Sequence, residues 1–152
     1  MLSLRDRTLA YLRDHNVMTL ATIGPQGLWA AAVFYANDGF TLYFLSAPTS
    51  RHSVNIETKG RVSATIQEDY RDWREIKGIQ LEGKARRIEG AEQAAAVARY
   101  GLKFPIVGNL ASAPTEIVKA MSRTAWYKVV PVRLYFIDNS LGLGHRDEVD
   151  LP

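Results

Sequence analysis

The sequence predicts a mainly β protein, a small antiparallel barrel with peripheral helices. Three observations carry that prediction. About six segments are rich in bulky, aromatic and β-branched residues, and several of them alternate in polarity. Asn37-Asp38-Gly39 is a tight hairpin signal that pairs neighbouring strands antiparallel. The helical stretches are short and lie between strands or at the start of the chain, where they can cover the ends of a barrel.

Ser3 to Asp14 forms an amphipathic helix. Ser3 with Asp6 resembles a capping box, and Thr8, Leu9, Tyr11 and Leu12 make its apolar stripe. Val17 to Ile23 is the first strand, and the cluster Gly24-Pro25-Gln26-Gly27 turns the chain. Leu28 to Ala36 is nearly all apolar, which predicts a strand covered on both faces; its alanines leave room beside the backbone for a flat ring or for close sheet packing. After the hairpin, Phe40 to Leu45 is the third strand. Pro48 ends it, and Thr49 or Ser50 can cap a helix that begins with Arg51, His52 and Ser53. Lys59-Gly60 turns into Arg61 to Gln67, a half-buried strand, and Glu68 to Arg74 is a charged loop.

Glu75 to Ile88 is a long strand whose interior Gly83 marks a bulge or bend. Ala91 to Tyr100 is helical and ends at Gly101, in the position of a C′ glycine. Lys103 to Ala113 is irregular. Pro114 and Thr115 open a short helix to Met121. Arg123 to Asp138 is the last long strand, and Pro131 places an edge or bulge in it. Asn139 to Pro152 is a polar, glycine-bearing tail. No repeat or linker divides the 152 residues, so one domain over residues 1–152 is expected.

Composition narrows the function classes. Apolar residues make up 47% and charged residues 23% of the chain, the balance of an ordinary globular protein. The net charge of +3 is mild, and basic and acidic residues are interleaved, so no nucleic-acid stripe is expected. The absence of cysteine removes disulfides, thiolate metal sites and cysteine nucleophiles. It also fits a cytoplasmic location. No apolar run is long enough to span a bilayer, so no membrane partner is expected. His15, His52 and His145 stand at no metal-binding spacing. The glycines form no phosphate loop, and no nucleophile elbow appears.

What remains is the bend after the third strand. Ser46, Ser50, Arg51 and His52 place hydroxyls, a guanidinium and an imidazole beside the first turn of a helix, whose free N–H groups and positive dipole end suit a phosphate. The alternative is a solvated helix start with a capping serine. Gln80 is an outward strand residue by pattern alone.

Several segments carry a family resemblance. Thr19-Leu20-Ala21-Thr22, the hairpin at Asp38-Gly39 and Tyr43-Phe44-Leu45-Ser46 leading to Ser50-Arg51-His52 are three of them. Arg61-Val62-Ser63-Ala64 and Ile79-Gln80-Leu81-Glu82-Gly83 follow. In this order they resemble the pyridoxamine 5′-phosphate oxidase-like split-barrel family of flavin-binding proteins. Phe34-Tyr35, Gly78-Ile79-Gln80, Lys103-Phe104-Pro105 and Gly142 to His145 are similar to a small bacterial branch of it. The resemblance implies an antiparallel split β-barrel and a homodimer with two small-molecule sites at the subunit interface. It implies FMN as the ligand, with deazaflavin or haem in relatives, and a flavin-dependent oxidoreductase. A non-enzymatic ligand-binding or sensor protein, or a dimer without cofactor, is the alternative. Carried over by position, Ser50, Arg51 and His52 grip the FMN phosphate, Ser46 lies at the end of the third strand, and Gln80 approaches the cofactor. No catalytic side chain and no metal ligand is implied. Three departures stand out. Trp29 to Tyr35 holds no Arg or Lys where the oxidase has a basic residue at each end of its second strand. His52 stands for a lysine. The oxidase's C-terminal substrate motif is not reproduced, so pyridoxamine-phosphate oxidation itself is not expected.

Overall fold

A computed structural model describes all of residues 1–152. Helix α1 (Leu4–Asp14) opens the chain. Strands β1 (Val17–Gly24), β2 (Gly27–Phe34), β3 (Ala36–Asp38) and β4 (Thr41–Ser46) follow, then helix α2 (Arg51–Lys59). Strands β5 (Arg61–Gln67) and β6 (Lys77–Ile88) come next. Helices α3 (Gly90–Lys103), α4 (Pro105–Gly108) and α5 (Thr115–Ser122) precede β7 (Ala125–Asp138) and β8 (Arg146–Glu148).

All pairings are antiparallel, in the order β2-β1-β5-β6-β7-β4-β3, with β8 added along β7. The two ends of that order, β2 and β3, are one stretch of chain interrupted only at Tyr35. The sheet therefore closes on itself: β2 pairs with β1, and after Tyr35 the same chain pairs with β4. Between the two pairings β2 and β4 part, which leaves a split in the barrel wall. Tyr35 is fully buried at the crossing, and its hydroxyl donates to the Leu12 carbonyl at 2.8 Å.

The strand interiors follow from alternation. Met18 and Leu20 on β1, Leu42 and Phe44 on β4, Ile66 on β5, Ile79 on β6 and Leu134 on β7 point inward and are all but fully buried. Phe44 stacks on Tyr127 with centroids 5.2 Å apart. Ser3 caps α1 by accepting from the Asp6 amide at 3.0 Å, as the capping-box pattern requires. Tyr11 and Leu12 close one end of the barrel. At the other end Asn55 of α2 donates to Thr22 at 3.0 Å, and Ile56 is buried. No helix is long and apolar enough to cross a membrane.

The structure departs from the sequence reading in three places. The apolar strand β2 is not covered on both faces: Leu28, Trp29 and Phe34 are exposed. It sits at the end of the sheet order, beside the split, where no strand or helix of the same chain covers it fully. The 103–113 stretch is not irregular but carries α4 and a 3-10 turn at Leu110–Ser112. Gly101 does not end α3, which runs on to Lys103. Instead Gly101 and Gly108 let α3 and α4 touch backbone to backbone, where an added Cβ would stand 2.8 Å from the neighbouring Cα.

Lys103 ties α3 to α1. Its ammonium lies 4.1 Å from the Tyr35 ring centre and donates to the carbonyls of Leu12 and His15. Burial pushes its pKa down to about 8. The unfolded chain, with lysine near 10.4, thus binds more protons between pH 8 and 10, and stability rises with pH across that window. Tyr11, Tyr35 and Tyr100 are held above the ordinary phenol value, first by burial, so they oppose this rise only as the unfolded chain's phenols ionise near pH 10. Urea midpoints at pH 8 and pH 9, below that ionisation, are expected to show the rise, and Lys103→Met to abolish it. A flat parent profile would contradict the burial of the ammonium.

Candidate functional site

The corner after β4 is built by local chemistry. Pro48 stops the strand in a turn closed by the Ser50 amide donating to Ala47 at 3.0 Å. Ser50 then caps α2 from an extended conformation (φ −64°, ψ 150°). Its Oγ accepts from the Ser53 amide at 3.3 Å and donates to Ser53 Oγ at 2.7 Å. The first-turn amides of Arg51 and His52 have no intrahelical acceptor.

His52 turns back toward the strand end. Its Nε2 lies 2.6 Å from Ser46 Oγ and 3.3 Å from Ser50 Oγ, and the two serine oxygens are 3.4 Å apart. Burial lowers the His52 pKa from its ordinary value, so the ring is neutral at pH 7 and contributes a hydrogen bond rather than a charge.

This cluster opens into a hollow of about 570 Å³ lying in the split, within the usual size of a small-molecule site. Ala32, Val33 and Phe34 of β2 form one side and Leu45 and Ser46 of β4 the other. Residues of α3, α4 and α5 and of the α3–α4 junction, chiefly Tyr100, Phe104 and Met121, wall it from outside. No charged side chain lines it. Thr124 turns its hydroxyl to the Met121 carbonyl at 2.7 Å, and Ser46 and His52 form a polar end to a mostly apolar space.

Arg51 does not join them. One residue along a helix is about 100° of rotation, and that carries Arg51 to the β1–β2 turn. There its Nη2 donates to the Gln26 carbonyl at 3.0 Å, and its guanidinium lies 4.4 Å from the Trp29 ring centre. Its Nε is buried and has no partner, an orphaned donor beside the start of α2 of the kind an incoming anion satisfies.

Gln80 stands apart. It lies on β6 between Thr65 and Tyr135, where its Oε1 accepts from Arg146 at 3.3 Å. Ser46 pairs with Ala125, beside the Trp126–Ile88 pair. Gln80 is eight residues along β6 from that level, about 26 Å in an extended strand. Within one protomer the structure thus gathers Ser46, Ser50 and His52, sets Arg51 on the adjoining side of the helix, and leaves Gln80 at the far end of the barrel. Sequence reasoning missed the helical wall. Its one signal was the apolar face of the 90–122 segment, whose placement over the split no local pattern specifies.

The polar end, the free amides and the apolar walls have the shape and donor set that a flat ligand with an anionic tail requires.

Known proteins support the architecture. Residues 4–138 match the family model described as pyridoxamine 5′-phosphate oxidase. A UPF0306 protein of Enterobacter sp. (strain 638) is 30% identical over 138 residues, covering 90% of this chain and 89% of the relative. A haem-binding protein from Mycobacterium smegmatis superposes with TM-score 0.76 at 23% identity, covering 98% of this chain and 58% of that one. HutZ, described as the haem storage protein of Vibrio cholerae, superposes with TM-score 0.69 at 17% identity, over 88% of this chain and 94% of that one.

Proposed function

The chain belongs to the pyridoxamine 5′-phosphate oxidase family of split barrels, and from that premise we propose that it binds FMN in the split and supports a flavin-dependent oxidoreductase step. The observation that carries the reading is the Ser46–Ser50–His52 cluster at the start of α2, opening into an uncharged hollow. FMN, when bound, supplies the redox chemistry. The protein's own residues have three tasks. The hydroxyls of Ser46 and Ser50, the first amides of α2 and the Arg51 side hold the phosphate. Ala32 and its neighbours give the ring a flat bed. The helical wall excludes water.

The active unit proposed is a homodimer. The exposed apolar residues Val17, Ile23, Leu28 and Phe34 of β1 and β2 form the kind of patch that a second copy covers.

A second reading, haem, is favoured by a neutral imidazole facing an apolar hollow, the protonation state in which histidine ligates iron. The M. smegmatis and V. cholerae proteins support it. One pair of titrations separates the readings. FMN is expected to bind the parent with its fluorescence quenched, and Ser46→Val and Arg51→Ala are each expected to weaken it about tenfold, one hydrogen bond to a charged group being worth about 1.5–3 kcal/mol. Haem binding that survives Ser46→Val but not His52→Leu, with no FMN binding at millimolar concentration, would replace the flavin assignment.

A further inference from the structure

A second hollow, of about 440 Å³, shares no residue with the first and lies on the outer face of β5, β6 and β7. Five cations line it: Lys59, Arg61, Lys84, Arg86 and Lys128. Alternation along β6 turns Lys84 and Arg86 outward while Ala85 is buried. The register then sets like charges face to face. Arg61 is the direct partner of Lys84, and Arg86 is the direct partner of Lys128. Opposed like charges destabilise a sheet, and here two such pairs sit side by side, two residues or about 7 Å apart along β6.

The small residues Gly60 and Ala85 form the floor between these long side chains. Gly60 ends α2 in the left-handed region (φ 70°), and its carbonyl accepts from the Ala85 amide at 2.8 Å. That bond fastens the end of α2 to β6 and brings Lys59 to the rim of the hollow.

The charges do not cancel. Glu92 of α3 is shared between Lys128 (2.6 Å) and Arg86 (2.7 Å). Glu82 lies on the same face beyond Lys84, but pairs across the sheet with Ser63 and Arg133. Lys59, Arg61 and Lys84 have no ion-pair partner within 4 Å. Five cations against the one shared carboxylate leave a surplus of four positive charges, more than one phosphate, at about −1.5 to −2, can balance; two linked phosphates come close to matching it.

We propose that this groove is a binding site for a small anion carrying adjacent phosphate groups, either inorganic pyrophosphate or the diphosphate of a nucleotide. Arg61 supplies planar bidentate donors, and Lys59 and Lys84 supply point charges. Glu82 and Glu92 flank the cations along this face and interrupt any continuous basic stripe, which favours a small ligand over a nucleic-acid strand.

Calorimetric titration with inorganic pyrophosphate tests the proposal. Saturable binding is expected. It should be at least fivefold tighter than for inorganic phosphate, weaker at 200 mM than at 50 mM salt because the cations are exposed, and at least tenfold weaker in Arg61→Gln/Lys84→Gln. ADP binding more tightly than pyrophosphate would assign the nucleotide source, and equal binding the free anion. The double variant relieves a like-charge pair, so its melting temperature should equal or exceed the parent's and its FMN titration should be unchanged; failure here is thereby separate from failure of the flavin reading. Lack of saturation by pyrophosphate, equal binding by the double variant, parity with inorganic phosphate, or binding of a single-stranded oligonucleotide alone would each overturn the proposal.

Discussion

Gly83→Val is expected to destabilise the fold by about 3 kcal/mol, the upper part of the usual range for forcing atoms into a packed interior. A Cβ at this position would stand 2.5 Å from the Val130 carbonyl oxygen and 3.0 Å from the Pro131 Cα. Both obstacles are backbone, so no side chain can swing aside. The position matters because β6 and β7 form the longest ladder of the barrel, and their register shifts between Glu82 and Gly83, opposite Pro131. Pro131 has no N–H to give the ladder. The bulge therefore puts a residue without a donor against a residue without a side chain, and bends the wall where closure needs it. Gly27→Ala is the control. Gly27 has φ 99° with nothing within 4 Å of an added Cβ, so its substitution carries only backbone strain, about 1–2 kcal/mol. Urea unfolding followed by tryptophan fluorescence measures both. A Gly83→Val protein with the parent's midpoint would show that the bulge is not packed as described.

Gly83 and Pro131 also show how far the sequence could be read. Each marked an irregularity by itself, and nothing local said that the two face each other. The strands were legible because alternation and turn chemistry are local: β5 falls on Arg61–Gln67 as expected, while the expected Asn37-Asp38-Gly39 turn shifts to Gly39-Phe40, with Asn37 and Asp38 inside β3. Closure of the barrel was not legible, since it depends on Tyr35 handing one strand from β1 to β4. The corner was half legible. Ser50 is the cap, as its residue type and the preceding proline indicate, but adjacent residues on a helix point about 100° apart. A contiguous Ser-Arg-His triplet therefore cannot face one space, and Arg51 and His52 part company. The basic groove was hidden for the same kind of reason. Its cations are dispersed among acidic residues in the sequence and are gathered only by register between β5, β6 and β7.

Acidification is expected to pull the corner in two directions, tightening FMN binding while loosening the ligand-free protein. Burial lowers the His52 pKa below its ordinary value, so between about pH 6.5 and that lowered value the unfolded chain holds the proton more readily than the folded one. His52's contribution to stability is thus complete above about pH 6.5 and is lost as pH falls through that window. A phosphate beside the ring reverses the preference, because an imidazolium facing an anion gains a charge-assisted hydrogen bond. The phosphate's own second ionisation, near pH 6, removes negative charge over the same range, so the parent's affinity alone is ambiguous. The ratio of parent affinity to that of His52→Gln cancels the ligand's titration. For FMN that ratio is expected to grow about tenfold between pH 7.5 and 5.5, one pKa unit of differential interaction being 1.36 kcal/mol. For riboflavin, which has the ring and no phosphate, it should stay flat. A flat ratio for both ligands would place His52 away from the phosphate and leave Ser50, Arg51 and the helix amides to hold it. A rising ratio for both would move the imidazole to the ring, where Ala32 and Leu45 already form the walls.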